Sequence, residues 1–262
     1  MCLLVLAWRC HPRYHLVIAA NRDEYHARPA AALAPWNDAA GIVAGRDLTA
    51  GGAWFGIDQQ RRVGIVTNFR EFGRRRRSAP SRGGLIPAYL ASTTRPGEFL
   101  RSLDTDAPGY AGFNLLLADR DSLWYASNRA DHFARELSPG IYGLSNEFLD
   151  TPWPKLVRVR SRFQAALAAP HSGDRQALAA ELFAMLADRE TVPLESLPSS
   201  ELSPEWARKL SAPFVLDPSY GTRCSTVLTL SGDDALVISE RRFDAHGAPA
   251  GESEYALNAA AA

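Results

Sequence analysis

The sequence predicts an α+β fold in one domain, and three observations carry that reading. Short apolar runs of strand character cluster at both ends of the chain. Helical periodicity is concentrated in the middle and late-middle, and no linker or internal repeat divides the 262 residues. This order disfavours the strict strand–helix alternation of a doubly wound parallel sheet and favours a layered α+β arrangement.

Taken in order, residues 2–8 and 14–20 are apolar runs separated by a polar turn containing Pro12, which is a β-hairpin pattern. Strand-like runs follow at 41–44, 53–57 and 62–67, each bounded by glycine or charged residues. A short helix is expected over 84–92, with Pro87 near its start. Residues 113–118 and 122–126 flank Asp119-Arg120-Asp121 as a second hairpin, and 141–144 is a further strand candidate. Trp153, Leu156, Val159, Phe163 and Leu167 then recur at helical spacing. A second helix is expected from Asp174, a suitable N-cap, to Leu186. After a Pro/Ser-rich loop over 191–204, residues 226–230 and 235–239 form a last hairpin around Gly232-Asp233-Asp234. The tail after about residue 256 is expected to fray.

Composition excludes several classes. Twenty-nine basic side chains balance 29 acidic ones, which argues against a nucleic-acid binder or a general membrane-surface adhesive. Three cysteines do not make a disulfide framework, so a reducing, cytoplasmic compartment is expected. The first apolar run stops at Arg9 with no basic residue ahead of it, unlike a signal peptide. No stretch reaches the roughly 18 apolar residues of a membrane span.

Cys2 is the first candidate for chemistry. Loss of Met1 would leave one residue carrying both a thiol and an α-amine of pKa about 7.7–8.0, able to act as base for its own thiol. The alternatives are a small hydrophobe starting a strand, or an acylation site. Asn21-Arg22-Asp23-Glu24 follows the second apolar run, and pairing of the two runs would bring it towards Cys2 in a Cys2-to-Asp23 register. There a carboxylate can hold the amine, and an arginine can lower a thiol pKa or bind an anion. By itself the tetrad also fits a solvated turn. Asn68 and Asn146 each follow an apolar strand, where an amide can stabilise an oxyanion or simply form a turn. Arg223 precedes another strand and is a further pocket candidate.

These residues sit in a longer series of blocks: Asn21-Arg-Asp-Glu24 followed by Arg28-Pro29, Ala44-Gly-Arg-Asp47, Gly51-Gly-Ala-Trp-Phe-Gly56, Thr67-Asn-Phe-Arg70, Ser81-Arg-Gly83, Tyr142-Gly-Leu-Ser-Asn146, Thr151-Pro-Trp-Pro-Lys155 and Gly221-Thr-Arg-Cys-Ser-Thr226. The series resembles the NRDE family, also called the transport-and-Golgi-organisation protein 2 family, over nearly the whole chain. The resemblance implies an N-terminal nucleophile hydrolase fold, a four-layer αββα sandwich of antiparallel sheets.

More distantly, the chain is similar to the choloylglycine hydrolase and penicillin V acylase group. That similarity implies Cys2 as nucleophile, Asp23 as the acid holding the α-amine and Asn68 in the oxyanion hole. Asn146 and Arg223 match the group's second asparagine and last arginine. Asn21, Arg22, Glu24, Arg70, Ser81 and Arg82 are the associated substrate-binding candidates. One departure stands out: those hydrolases carry an arginine three residues before the aspartate, where this chain has Ala20 and places Arg22 beside Asp23. Adjacent strand residues point to opposite faces, so the two share a pocket only if a bulge re-aims one.

The implied activity is hydrolysis of an amide or thioester acyl substrate, with no required cofactor. The alternative is a non-catalytic protein binding haem, acyl-coenzyme A or a related lipid in the same pocket. Cys10, His11, His15 and Cys224 lack zinc-ligand spacing, so no metal is expected. The run Arg74–Arg77 fits a solvated loop better than a nucleic-acid patch; lying between Asn68 and Ser81, it would gate the pocket if the ligand is anionic.

Overall fold

A computed structural model describes residues 2–71, 79–197 and 202–259; the arginine run at 74–77 lies outside them. The class is α+β with two antiparallel sheets, one in each of two compact units. The first unit comprises Met1–Ala27, Pro139–Ser145 and Leu149–Ala262, and the second Arg28–Ser138 and Asn146–Phe148.

The first unit is built on β1 (Cys2–Trp8) and β2 (Tyr14–Tyr25). The second unit contains β3 (Ala30–Pro35), β4 (Ile42–Asp47), β5 (Phe55–Asp58), β6 (Val63–Asn68), α1 (Leu85–Ala91), α2 (Pro96–Leu103), β7 (Phe113–Ala118), β8 (Leu123–Ser127) and β9 (Ala134–Glu136). The chain then re-enters the first unit with β10 (Gly140–Leu144), α3 (Pro154–Ala168), α4 (Arg175–Leu186), α5 (Pro204–Lys209), β11 (Tyr220–Ser231), β12 (Leu236–Phe243) and β13 (Pro249–Leu257).

In the first unit the strand order is β10-β1-β2-β11-β12-β13. Leu3, Val5 and Ala7 point to one face with Val17, Ala19 and Val227, and pack on Leu156, Val159 and Phe163 of α3 and Leu178 and Leu182 of α4. Leu4 and Leu6 point the other way and are also buried. Burial on both faces makes β1 a continuous apolar run rather than an alternating one. Pro154 opens α3, where a missing N–H costs nothing. Asp174 caps α4 as expected, accepting from the Gln176 and Ala177 amides at 2.9 and 3.4 Å.

The second unit is a seven-stranded meander from β3 to β9, with α1 and α2 inserted between β6 and β7. Ile86 of α1 lies over Gly56 and Gly64, where an added Cβ would come within 3.3 and 3.0 Å of it. Gly52 is tighter still. A Cβ there would sit 2.3 Å from the carbonyl carbon of Gly83, and the Ala53 amide donates to the Gly83 oxygen at 3.0 Å. The obstacle is backbone and cannot rotate away, so Gly52→Ala is expected to cost about 1–3 kcal/mol, read as a lowered urea midpoint.

The pattern anticipated most central elements but not β3, β9, β13, α2 or α5. β3 and β13 are sheet edges, largely exposed, and so carry little apolar alternation. α2 is a short helix whose start is set by Pro96 and by Glu98 accepting from the Arg95 amide at 3.3 Å. Among the described residues, no helix is long and apolar enough to cross a membrane.

Candidate active site around Cys2

The hairpin register departs by one residue from the sequence expectation. Cys2 lies opposite Arg22, not Asp23, and the pairing continues through Leu3–Asn21 to Trp8–Leu16. The polar tetrad is not a turn. It lies inside β2, which runs on to Tyr25 because β11 pairs along its far edge.

Directly opposed residues of an antiparallel pair share a face. Cys2, Arg22 and Cys224 therefore form one row across β1, β2 and β11, while Asp23 shares the opposite face with Thr222. The β2–β11 register shifts between Thr222 and Cys224, leaving Arg223 as the extra residue. A bulge is thus present, but on β11. Along β2 itself the pairing with β1 is unbroken, and Arg22 and Asp23 stay on opposite faces.

Asp23 is 2% exposed and held from several sides. The Thr222 hydroxyl donates to its Oδ1 at 2.7 Å, and the Val215 amide donates to that same hydroxyl at 2.9 Å, which aims the hydroxyl proton at the carboxylate. The Tyr220 hydroxyl donates to the Asp23 carbonyl at 3.0 Å. Burial, with the nearby Asp23 charge second, pushes the Tyr220 phenol far up, so it remains a donor. Gly221 is required between these two donors, because a Cβ there would approach the Val215 oxygen to 2.8 Å.

Burial also pushes the Asp23 carboxyl up. It is opposed by Lys155, the Thr222 hydrogen bond and Arg22. The half-buried Cys2 thiol is likewise pushed up by burial and secondly by the Asp23 charge, and Arg22 and the Asp23 backbone pull it back.

Three groups around Asp23 were not among the sequence candidates: Lys155, Thr222 and Tyr220. Lys155 carried a signal, since a lysine in the first turn of an otherwise amphipathic helix is unusual. Thr222 lies in the Gly221–Thr226 block and Tyr220 immediately precedes it.

Other candidates from the first unit are held by the fold. Asn21 is buried, with its Nδ2 donating to the Leu186 and Pro213 carbonyls at 2.9 Å and its Oδ1 accepting from Ser225 at 2.6 Å. These bonds tie β2 to α4 and β11. Arg223 donates to the Tyr25 and His26 carbonyls at 3.0 and 3.2 Å, strapping the bulge to the end of β2. Burial, and secondly the charge of Arg22, lower its pKa. Glu24 lies two residues along the same strand as Arg22, 3.9 Å from its guanidinium.

A family model for Transport and Golgi organisation 2 matches residues 1–245. The chain belongs to this family. A Transport and Golgi organization protein 2 homolog of Bos taurus is 34% identical over 92% of both chains, and the homologs of Mus musculus and Homo sapiens are each 30% identical over the same shares. Among solved structures, a Caenorhabditis elegans N-acylethanolamine-hydrolyzing acid amidase ortholog aligns with a TM-score of 0.48 at 11% identity, over 87% of this chain and 92% of that one.

In this Transport and Golgi organisation 2 chain, the motif blocks of the second unit have structural explanations. Arg28 donates to Asp47 at 2.6 Å, and Asp47 accepts from the Thr49 and Ala50 amides, closing the turn after β4. Gly45 gives room to the Trp54 ring, which a Cβ would approach to 2.3 Å. Arg82, expected at a substrate, donates to the Gly112 carbonyl at 2.7 Å, and Gly83 backs Gly52. Ser81 is exposed and precedes the short helical turn at 82–84.

Asn68 and Asn146 are brought together within the second unit. The Asn146 side chain donates to the Asn68 carbonyl at 2.8 Å, and the Arg70 amide donates to the Asn146 carbonyl at 2.7 Å. Asn146 is buried and left-handed, at φ 55°, which asparagine tolerates better than most residues. Among the described residues, no group of three or more His, Cys, Asp and Glu is arranged to hold a metal ion.

Proposed function

We propose that this protein is a cysteine acyl hydrolase of the N-terminal nucleophile type, acting on an amide or thioester once Met1 is removed. The observation that carries the reading is the β1–β2 register. Cys2 opens its strand facing Arg22, with Asp23 one step further along β2 on the opposite face.

This arrangement accounts for the adjacency of Arg22 and Asp23. A side chain occupies one face of a sheet, whereas the terminal amine of a strand lies near the sheet plane. The thiol therefore shares its face with Arg22, whose charge favours thiolate, and the amine at the strand end has Asp23 for its partner.

In the proposed reaction the neutral amine takes the thiol proton as sulfur bonds to the acyl carbon. Collapse of the tetrahedral adduct breaks the C–N or C–S bond, and the ammonium returns its proton to the leaving amine or thiolate. Water, deprotonated by the same amine, then adds to the thioester and releases the acid and the Cys2 thiol.

The test is intact-mass analysis of the purified chain before and after incubation with p-nitrophenyl acyl esters and acyl-coenzyme A thioesters of graded length. Loss of Met1 together with a covalent acyl adduct on the Cys2 peptide is the expected result. A chain that begins at Cys2 and forms no adduct would exclude the nucleophile role.

One observation favours the second reading, a carrier of haem or acyl lipid without turnover: burial pushes the Cys2 thiol up, towards a protonated and less nucleophilic state. Saturable haem or acyl-coenzyme A binding with no adduct and no product would support it.

A further inference from the structure

The second unit contains a cavity of about 450 Å³ between α2 and the loop that joins β8 to β9, a volume in the range of small-molecule sites. It shares no residue with the Cys2 site, so what it binds is independent of the hydrolase reading.

The walls are apolar and fixed by packing. Gly97, Leu100, Arg101 and Asp104 recur at helical spacing and turn one side of α2, with its C-terminal end, towards the cavity. Trp124 of β8 packs directly against that helix, because a Cβ added at Gly97 would come within 2.6 Å of the indole. Phe133 meets Phe113 edge-on, with ring centroids 6.2 Å apart. The loop is fastened at its base. The Ser127 amide donates to the Phe133 carbonyl at 2.9 Å, and the Ala130 amide to the Ser127 carbonyl at 3.2 Å. The inner polar side chains are spent on the fold: Ser127 donates to the Phe113 carbonyl at 3.1 Å, and Asn128 accepts from the Phe113 amide at 2.8 Å and donates to the Ala107 carbonyl at 2.9 Å.

The charged groups of the lining differ. Arg101 and Asp104 come from α2 and its end, Asp131 and His132 from the loop, and all four are exposed. Among the described residues, none of these four side chains takes a hydrogen bond or an ion pair. Scattered exposed charges are ordinary on a convex surface. These four instead border one aromatic-walled concavity and carry both signs. Asp104 also stands against the helix dipole, since the last carbonyls of α2 repel a carboxylate and attract a cation.

We propose that this cavity binds a small aromatic zwitterion, of which an aromatic α-amino acid is the simplest member. The ring lies against Trp124 and Phe133, the ammonium is held by Asp104 and Asp131, and the carboxylate by Arg101 with His132 as a further donor. A lone amine would leave Arg101 facing a like charge, and a lone acid would face two carboxylates. A ligand bearing both charges gives every group its opposite. The aromatic walls add stacking and favour the cationic end.

Three probes of one skeleton test this by NMR titration of the ¹⁵N-labelled full chain: L-phenylalanine, phenethylamine and 3-phenylpropionate. L-Phenylalanine is expected to shift the Trp124 indole and the Asp131 and His132 amide signals saturably, with a Kd at least about tenfold below that of either other probe. Asp104→Asn combined with Asp131→Asn should abolish the preference for phenylalanine over 3-phenylpropionate, and Arg101→Gln the preference over phenethylamine. These positions are exposed, so the variants should keep the parent spectrum away from the cavity. No saturable shift by phenylalanine at millimolar concentration, shifts confined to residues outside the cavity, or equal binding of either singly charged probe would overturn the inference.

Discussion

Cys2→Ala is expected to lower kcat/KM for acyl hydrolysis by at least about 10³-fold, with little effect on stability. In the proposed mechanism the change removes only one of the two functions of residue 2. The thiol nucleophile disappears, while the α-amine and its Asp23 partner remain, so acyl transfer has a base but no attacking atom. Cys2→Ser retains a hydroxyl of much higher pKa and should recover only a small part of the rate.

The fold tolerates both changes. Cys2 is half-buried at the start of β1, and the strand is held through Leu3, Val5 and the pairing that runs to Trp8. Urea midpoints should therefore move by no more than about 0.5 kcal/mol in equivalent stability. Steady-state kinetics on the best substrate from the adduct screen, with melts on the same samples, separates loss of chemistry from loss of structure. A Cys2→Ala variant of unchanged rate would remove Cys2 from the mechanism.

The largest expected stability effect lies elsewhere, at Asp58 and Arg62. Both side chains are buried, and Arg62 Nε donates to Asp58 Oδ2 at 2.6 Å. The same guanidinium donates to the Leu90 and Tyr89 carbonyls at 2.6 and 3.3 Å, capping the C-terminal turn of α1. Asp58 Oδ1 accepts from the Gln60 and Arg62 amides and shapes the β5–β6 turn.

Asp58→Ala leaves a buried guanidinium without its carboxylate and two turn amides without their acceptor. The expected loss is about 3–5 kcal/mol by urea denaturation. The pair need not be net stabilising for this to hold, because the cost arises from the charge left behind. Asp58→Ala combined with Arg62→Met is accordingly expected to recover part of the loss. A double variant less stable than Asp58→Ala alone would show that the α1 cap outweighs the buried charge.

Much of the fold follows from local pattern. β1 reads directly as an apolar run, β7 matches its predicted span, and Asp174 caps α4 as expected. The register of the first hairpin does not follow in the same way. Arg9 adopts φ 49° in the five-residue turn, and no glycine or asparagine there announces a left-handed residue. A one-residue slip moves a side chain to the other face, and so it exchanges Arg22 for Asp23 as the residue opposite Cys2.

The polar tetrad misleads for a related reason. Four polar residues after an apolar run resemble a turn, yet they continue as strand because Tyr220–Ser225 of β11 pairs alongside and supplies partners for Asn21 and Asp23. Lys155 is a further case: it ends the Thr151–Lys155 block, and only the structure shows that it is buried.

By itself, then, the sequence determined the α+β class, a cysteine at the start of an apolar strand, and a polar tetrad after the strand that follows. These are consequences of short-range periodicity and turn composition. Only the tertiary structure decided which face each polar side chain takes and which distant strand supplies the hydroxyl that meets the Asp23 carboxylate. Facing depends on register, and a buried charge is defined by partners that folding brings in from other parts of the chain.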